Sequence, residues 1–521
     1  MIKERDFTLL IIACLTLAYI AIRLWYWKSY AKGRDLNSDG YYSLLCINKY
    51  KNNGRRRFSQ IPNLVIPIRH VYPSLGIWLL SFFPENFIFR FGGLMNSLID
   101  LVYFTLLSLM YMKLQVISGS VLAGLLIFLL LPTNFNKNPI NQMHFSLTWR
   151  DLGRLTATMY FTTVFCAILW PEKRILFSAI GVLAFLACFY SSQFALQCVI
   201  FGSIFFSLLS ASTLPVVIML TGHVVVAAAD WKYIKRYYVF KYNHFKIYFR
   251  LWRHTHDQAT NDYAFSFKHI RIVASHLLHF QFSYAAINAS RDPFLRGIYL
   301  FPIQLITALG LYMMHDNTAS LLLQWYGAAV IVWLLTLTPW LKIFGEPDRY
   351  LEFFGYMPIL LGLGYCLPNL YSAHFLLFCL ALIAAAFQFH FVIIDLAKSF
   401  RLKKNEQVPV DIHYIEKLRN EGAFLRGKRL YPITFSYAWK IAYIFDTPTL
   451  YPPFENIPVA DFIGNYPYPK YENLAAVCKE YNISYLVIEK EHQQLLMREE
   501  IKKISSGSQI IGNFIIVQVA L

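Results

Sequence analysis

Charged residues are scarce in this chain of 521: Asp, Glu, Lys and Arg make up 15% of it, where a soluble protein carries about a quarter. With 57% of the residues hydrophobic, too little charge remains to cover a water-facing surface, which excludes an ordinary soluble protein. The scarcity peaks between Ile175 and Ala229, 55 positions without one charged side chain. Cysteine is sparse and scattered: eight residues, several inside apolar blocks (Cys14, Cys166, Cys188, Cys198), and no CxxC pair. That pattern implies no disulfide framework and leaves small apolar packing groups. Internal repeats, low-complexity linkers and nucleic-acid-binding motifs are absent, so no nucleic-acid partner is expected.

Among the charges present, 48 Lys and Arg stand against 30 Asp and Glu, a net +18. In so apolar a chain this excess points to anionic membrane lipids or phosphate-bearing substrates. Aromatics reach 17%, high even beside interfacial belts of Trp and Tyr, and compatible with sugar or isoprenoid contacts.

The apolar residues arrive in blocks of about 17–25, the length that crosses a hydrocarbon core of roughly 30 Å. Phe7–Trp27 comes first; it is longer than a signal-peptide core and lacks a small-residue cleavage site, so it reads as a retained span. Further spans are expected at about Phe89–Met112, Val116–Leu131 and Leu152–Trp170, then three between Ile175 and Ala229 with breaks at Ser191-Ser192 and Ser210–Pro215. Four more follow at about Gly297–Met314, Ala319–Leu341, Phe353–Leu367 and Ser372–Ile394, eleven in all. The fold class this predicts is a mainly α, polytopic membrane protein with a small C-terminal soluble α/β domain. Residues 1–397 form the membrane part, with a first outer loop at 28–88 and a basic insert at 230–296, and 398–521 the soluble part. In the latter, Phe435–Ile444 and Tyr471–Tyr481 read as helices, Ser484–Ile488 and Asn513–Ala520 as strands. No catalytic motif is visible there. With a cytoplasmic N-terminus, parity puts the first loop, the 134–150 loop, the insert, the 346–350 segment and the C-terminal domain on the extracytoplasmic face. The Arg-rich first loop runs against the positive-inside rule. The Lys-, Asn- and Ile-rich composition fits a bacterial inner membrane.

The densest polar stretch, Ser38 to Trp78, follows the first span. It opens with Ser38-Asp39-Gly40 and the pair Tyr41-Tyr42, passes through Arg55-Arg56-Arg57, and reaches Arg69-His70-Val71-Tyr72-Pro73. On its own, Asp39 suits a helix cap or a turn. Thr148-Trp149-Arg150-Asp151 opens the fourth span, and Asp151 suits a helix N-terminus. Gly345-Glu346-Pro347-Asp348-Arg349-Tyr350-Leu351-Glu352 opens a late span, with Arg349 either a phosphate fork or a snorkelling interfacial side chain. The insert carries six of the fourteen histidines: His244, His254, His256, His269, His276 and His279. His254-Thr255-His256-Asp257 and His276-x-x-His279 have metal-like spacing, but no Cys pair or HExxH accompanies them. The aromatics Trp231, Tyr233, Tyr237, Tyr238, Phe240, Tyr248 and Trp252 predict basic interfacial helices lying on head groups instead.

A first-loop carboxylate followed by aromatics, a juxtamembrane helix, and the helix start Tyr72-Pro73-Ser74-Leu75 resembles the GT-C superfamily of membrane glycosyltransferases. The likeness is to the protein O-mannosyltransferase and lipid A aminoarabinose transferase group in particular. Trp149-Arg150-Asp151 and Arg349-Tyr350 with Pro358 are similar to further motifs of that group, and the resemblance in layout covers nearly the whole chain. Ser74 stands where the group has a second Pro, and Tyr72 where the aminoarabinose transferases have a lysine that contacts the lipid phosphate. The resemblance implies about eleven helices of GT-C type, a polyprenyl-phosphate-linked sugar as donor, and a glycan, lipid or protein acceptor. It implies Asp39 as general base and Asp151 as a second catalytic carboxylate. Arg69, His70, Tyr72, Arg150, Arg349 and Tyr350 would meet the donor phosphate and lipid, and Tyr41, Tyr42 and Glu346 the substrate. No organic cofactor is implied; a divalent cation on the carboxylates is compatible with the chemistry. Two rivals differ in signature. An O-antigen-type ligase or polymerase relies on arginines and a late His in large outer loops. A lipid-linked-sugar flippase or transporter would carry ionisable residues within its spans, where the first seven hold only Arg23, Arg90, Asp100, Arg154 and His223.

Overall fold

The computed structural model describes residues 38–68, 70, 75–114, 148–247, 267–281, 292–299, 302–338, 347–384, 412–451 and 468–520, with single residues between them (14, 17, 20, 21, 24, 284, 285, 288, 289, 341 and 344). In chain order the helices are α1 (Ser38–Asn52), α2 (Leu75–Leu80), α3 (Glu85–Lys113), α4 (Thr148–Leu169), α5 (Arg174–Ser191), α6 (Gln193–Ser210), α7 (Leu214–Ile247), α8 (Phe267–Leu278) and α9 (Pro293–Tyr299). They continue with α10 (Ile303–Met314), α11 (Asn317–Thr336), α12 (Asp348–Ala373), α13 (Phe375–Ala384), α14 (Ile412–Glu421), α15 (Ala438–Ile444) and α16 (Leu474–Glu480). Four strands close the chain: β1 (Leu430–Pro432), β2 (Tyr485–Glu489), β3 (Ser505–Ile511) and β4 (Phe514–Val519).

Among the described residues, seven helices are long and apolar enough to cross a membrane: those within α3, α4, α5, α6, α7, α11 and α12. Each answers to a span expected from hydropathy, and the chain is a multi-pass membrane protein. Two more expected spans are represented by the shorter apolar helices α10 and α13. Phe7–Trp27, but for five residues, and all of Val116–Leu131 lie outside the described residues, so the total of eleven rests on the sequence there.

The breaks in the uncharged 175–229 stretch have local causes. Ser192 is extended (φ −157°, ψ 131°), and its hydroxyl accepts from Ala195 N at 3.3 Å, capping α6. Ala211 turns left-handed (φ 49°) to end α6, and α7 restarts at Leu214. Three boundaries differ from expectation. α7 does not stop at Ala229; it bends at Asp230 (φ −150°, ψ 62°) and runs on to Ile247, so the insert begins as a helical continuation. The expected Gly297–Met314 span is divided at Pro302, between α9 and α10. α12 begins at Asp348 rather than Phe353, and residues Leu351–Gly355 form a wide π turn within it.

The chain gathers into two compact units. One comprises residues 1–31, 93–231 and 260–406; the other 32–92, 232–259 and 407–521. In the first, Phe161 of α4 stacks on Phe354 of α12 (4.7 Å), with Trp325 of α11 alongside at 6.2 Å. Gly202 of α6 lets this pair approach, since a Cβ there would collide with the Phe161 ring. The Tyr111 hydroxyl of α3 donates to the Leu360 carbonyl of α12. In the second unit the sheet runs β1-β2-β4-β3, with β1 and β2 parallel and the remaining pairs antiparallel. The helices expected at 435–444 and 471–481 and the strands expected near 484–488 and 513–520 are present; β1 and β3 are additions. The first loop joins this domain. Leu64 makes a parallel bridge with Thr449, which also bridges Leu430 of β1, and Val65 and Ile66 pack against the domain core.

Candidate functional site

In the second unit, Asp39 stands in the first turn of α1, and Gly40 to Tyr50 form an almost wholly buried face behind it. Tyr41 is buried against Tyr443 of α15 at 5.6 Å, and Tyr42 meets Trp439 of α15 edge-on at 5.1 Å. The two tyrosines assigned to substrate are thus the joint between α1 and α15. The Tyr42 hydroxyl and His70 Nδ1 share a hydrogen bond of 3.1 Å, and the His70 ring lies flat on Phe58 (4.4 Å) with Tyr50 edge-on. Burial, with the Arg57 guanidinium second, pushes the His70 pKa down to about 4, so the ring is neutral at physiological pH. It therefore meets an anion as a hydrogen-bond donor, not as a cation. Its Nε2 has no hydrogen-bond partner among the described residues. On the far side of this joint, the Tyr443 hydroxyl donates to Glu85 at the start of α3, and Asn48 Nδ2 reaches the same carboxylate at 3.5 Å. Arg69, Tyr72 and Glu346 lie outside the described residues.

In the first unit, Asp151 and Arg150 occupy the first turn of α4. One turn further in, the buried Arg154 binds Asp100 of α3 and approaches Glu352 of the α12 π turn, 3.9 Å from its carboxylate. Isolated charges at such a depth are untenable, and the three offset one another. Arg349, one turn before Glu352, lies over the Phe194 ring of α6 at 5.9 Å. Tyr350 is fully buried against Phe194 (4.6 Å), and its hydroxyl donates to the Phe344 carbonyl at 3.2 Å. Asp348 pairs with Arg296 of α9, a fully buried arginine. Asp292 caps α9 by accepting from Phe294 N (2.9 Å) and Leu295 N (3.1 Å), while His269 Nδ1 of α8 lies 3.4 Å from its other oxygen. A line of ionisable side chains thus runs from α8 through α9 to the start of α12 and on to α4 and α3.

Asp100, Arg154, Asp348 and Glu352 have no site role in the motifs of the sequence, yet the fold pairs each of them. The available signal was ionisable residues inside apolar segments, which sit there only when paired or functional. His276 Nδ1 donates to Gln281 Oε1 (2.7 Å) and His279 Nδ1 to the Ser275 carbonyl (2.7 Å), so both turn back onto local partners. His254 and His256 are outside the described residues. Among the described residues no group of three or more His, Cys, Asp or Glu side chains gathers to hold a metal ion. The C-terminal domain carries one polar cluster the sequence did not announce. Tyr437 donates to Glu491, Lys440 pairs with Glu489 at 3.2 Å, and His492 lies 3.3 Å from Glu491. Burial raises the Glu489 pKa, while the Tyr437 hydrogen bond lowers that of Glu491.

In fold the chain resembles the GT-C membrane glycosyltransferases. Solved structures with that fold match nearly the whole chain. The oligosaccharyltransferase of Archaeoglobus fulgidus, solved with zinc and sulfate, superposes with a TM-score of 0.56 at 13% identity, over 96% of this chain and 71% of its own. The same archaeal protein, AglB, with an inhibitory peptide and dolichol-phosphate gives 0.53 at 12% identity, over 98% and 74%. ArnT from Cupriavidus metallidurans bound to undecaprenyl phosphate gives 0.50 at 11%, over 96% and 97%. No protein-family model and no curated relative matches the sequence.

Proposed function

We propose that the chain is an integral membrane glycosyltransferase of the bacterial inner membrane. It would move a sugar from a polyprenyl-phosphate-linked donor to an acceptor hydroxyl on the extracytoplasmic face. The observation that carries this reading is a GT-C likeness extending over 96–98% of the chain, beside a first-loop carboxylate, Asp39, at the start of a helix.

The acceptor oxygen attacks the anomeric carbon as the bond from that carbon to the phosphate oxygen breaks. Asp39 takes the acceptor's proton, the phosphate leaves with the bonding electrons, and a single displacement inverts the anomeric centre. Arg150 and Arg349, each in the first turn of an apolar helix, supply positive charge where the leaving phosphate develops its own. Arg69 and Tyr72 extend that role in the first loop, and Tyr350 supports Arg349 from the buried side. Asp151 orients the acceptor or holds a divalent cation; Glu346 serves the substrate. Neutral His70 contributes through the Tyr42–His70–Phe58 stack, which keeps α1 in place.

The test is Asp39→Asn in a transfer assay on isolated membranes with undecaprenyl-phosphate-linked sugars. Loss of a general base lowers the rate by about 10²–10⁴-fold, with the protein still inserted at wild-type level. Wild-type transfer by the variant would remove Asp39 from the mechanism.

A further inference from the structure

The first loop and the tail of α7, nearly two hundred residues apart in sequence, meet to form one basic surface. α1 ends in a tightly built turn: Gly54 (φ 59°) and Arg55 (φ 60°) are both left-handed, Arg55 N donates to the Tyr50 carbonyl at 2.6 Å, and Asn53 Nδ2 ties back the Arg56 and Arg57 carbonyls (3.0 and 3.2 Å). A left-handed arginine is disfavoured by its own Cβ, so the turn is held by its hydrogen bonds. It projects Arg55, Arg56 and Arg57, all exposed. Arg55 lies over Phe82 at 4.7 Å and Arg57 over Tyr233 of α7 at 4.6 Å. The planar N–H fork of a guanidinium matches the geometry of phosphate oxygens.

Beyond its bend, α7 buries Tyr233, Ile234 and Tyr237 on one side and exposes Lys232, Lys235, Arg236 and Lys246 on the other. The Arg57–Tyr233 contact ties the arginine turn to this segment of α7. Glu85, at the start of α3, is engaged by Tyr443 and Asn48. Interleaved with the cations are exposed Phe82, Tyr238, Val239 and Tyr242. In sequence the basic run begins two residues after the apolar stretch that ends at Ala229.

We propose that this surface, Arg55–Arg57 with Lys232, Lys235, Arg236 and Lys246, binds the phosphate head groups of anionic phospholipids. Seven exposed cations from two segments match a sheet of phosphodiesters. The exposed aromatic rings among them suit the interface between head groups and acyl chains, where a soluble polyanion site would have no use for them. A basic, aromatic run directly after an apolar span lies at the level of the lipid head groups. Holding the first loop to the lipid surface would keep α1, and with it Asp39, at the level of a lipid-borne phosphate. The lipid assignment itself is independent of the sugar-transfer reading.

The experiment uses the full chain in detergent, titrated with phosphatidylglycerol or phosphatidylcholine and read by native mass spectrometry. Two variants are compared with wild type: Arg55→Asn/Arg56→Gln, where Asn tolerates the left-handed backbone, and Lys232→Gln/Lys235→Gln/Arg236→Gln. Phosphatidylglycerol affinity falls about five-fold per cation removed in each, phosphatidylcholine affinity stays put, and the melting temperature is kept. Wild type that does not prefer phosphatidylglycerol overturns the proposal, as does unchanged affinity in either variant. Unchanged phosphatidylglycerol binding with lost binding of soluble polyphosphate would assign the surface to a soluble polyanion, overturning the lipid assignment.

Discussion

His70 shows how an enclosed side chain differs from its sequence impression. Next to Arg69 and near three arginines, it reads as a cation; enclosed by Phe58, Tyr42 and Tyr50, it is neutral with a pKa near 4. The unfolded chain titrates this group at about 6.5. Between the two values the unfolded state binds more protons, so stability is complete above pH 6.5 and is lost as pH falls toward 4. Thermal unfolding across that window should show wild type losing more melting temperature than His70→Gln, which cannot titrate; parallel curves would contradict a buried neutral ring. Tyr41 and Tyr42 carry a similar lesson. Aromatic residues beside a carboxylate read as sugar contacts, yet both pack against α15, Tyr41 on Tyr443 and Tyr42 on Trp439. Local sequence cannot distinguish a ring that packs on a ligand from one that packs on its own chain.

Among the elements, α4 is the one the first unit is arranged around. Its Phe161 stacks on α12 and its Arg154 joins Asp100 of α3 to Glu352 of α12. Arg154→Met leaves two buried carboxylates without their cation and should lower stability by about 3–5 kcal/mol, read as melting temperature in detergent. A near-neutral result would contradict the role of Arg154 as the cation that holds these carboxylates. Span positions were legible because their length follows directly from the bilayer's thickness, and the Ser192 break because it needs only local chemistry. The continuation of α7 past Asp230 was hidden by a change of solvent: its tail buries Tyr233 and Tyr237 against protein, so it keeps a helical period without an apolar run. The π turn at Leu351–Gly355 has no sequence marker, since widening a helix depends on what it must pack against.

At the scale of the molecule, chain order and spatial order part in the second unit. Asn63 accepts from Thr449 N at 3.0 Å, Val65 N donates back to the Thr449 carbonyl at 3.1 Å, and Val65 and Ile66 enter the core of a domain more than 350 residues away. Loop and domain should therefore open together. Leu486→Ala, from the centre of β2, removes about 2–5 kcal/mol and should raise amide exchange at 61–66 as well as at 430–450. Exchange raised only in 430–450 would show the loop to be merely resting on the domain.

Hydropathy and charge alone determined that the chain is a multi-pass membrane protein with a small α/β region at its C-terminal end, and that its polar residues cluster at a few span ends. Those properties follow from transfer between water and hydrocarbon, which each residue expresses wherever it stands. Which polar residues meet was decided only by tertiary structure: Arg154 with Asp100 and Glu352, Arg296 with Asp348, Tyr443 with Glu85, Arg57 with Tyr233. Such pairings depend on helix rotation and on closing loops hundreds of residues long, and no local pattern records them. The opening stretch with Asp39 was conspicuous by composition; its anchoring to α15 and its arginine turn's meeting with α7 came from the fold.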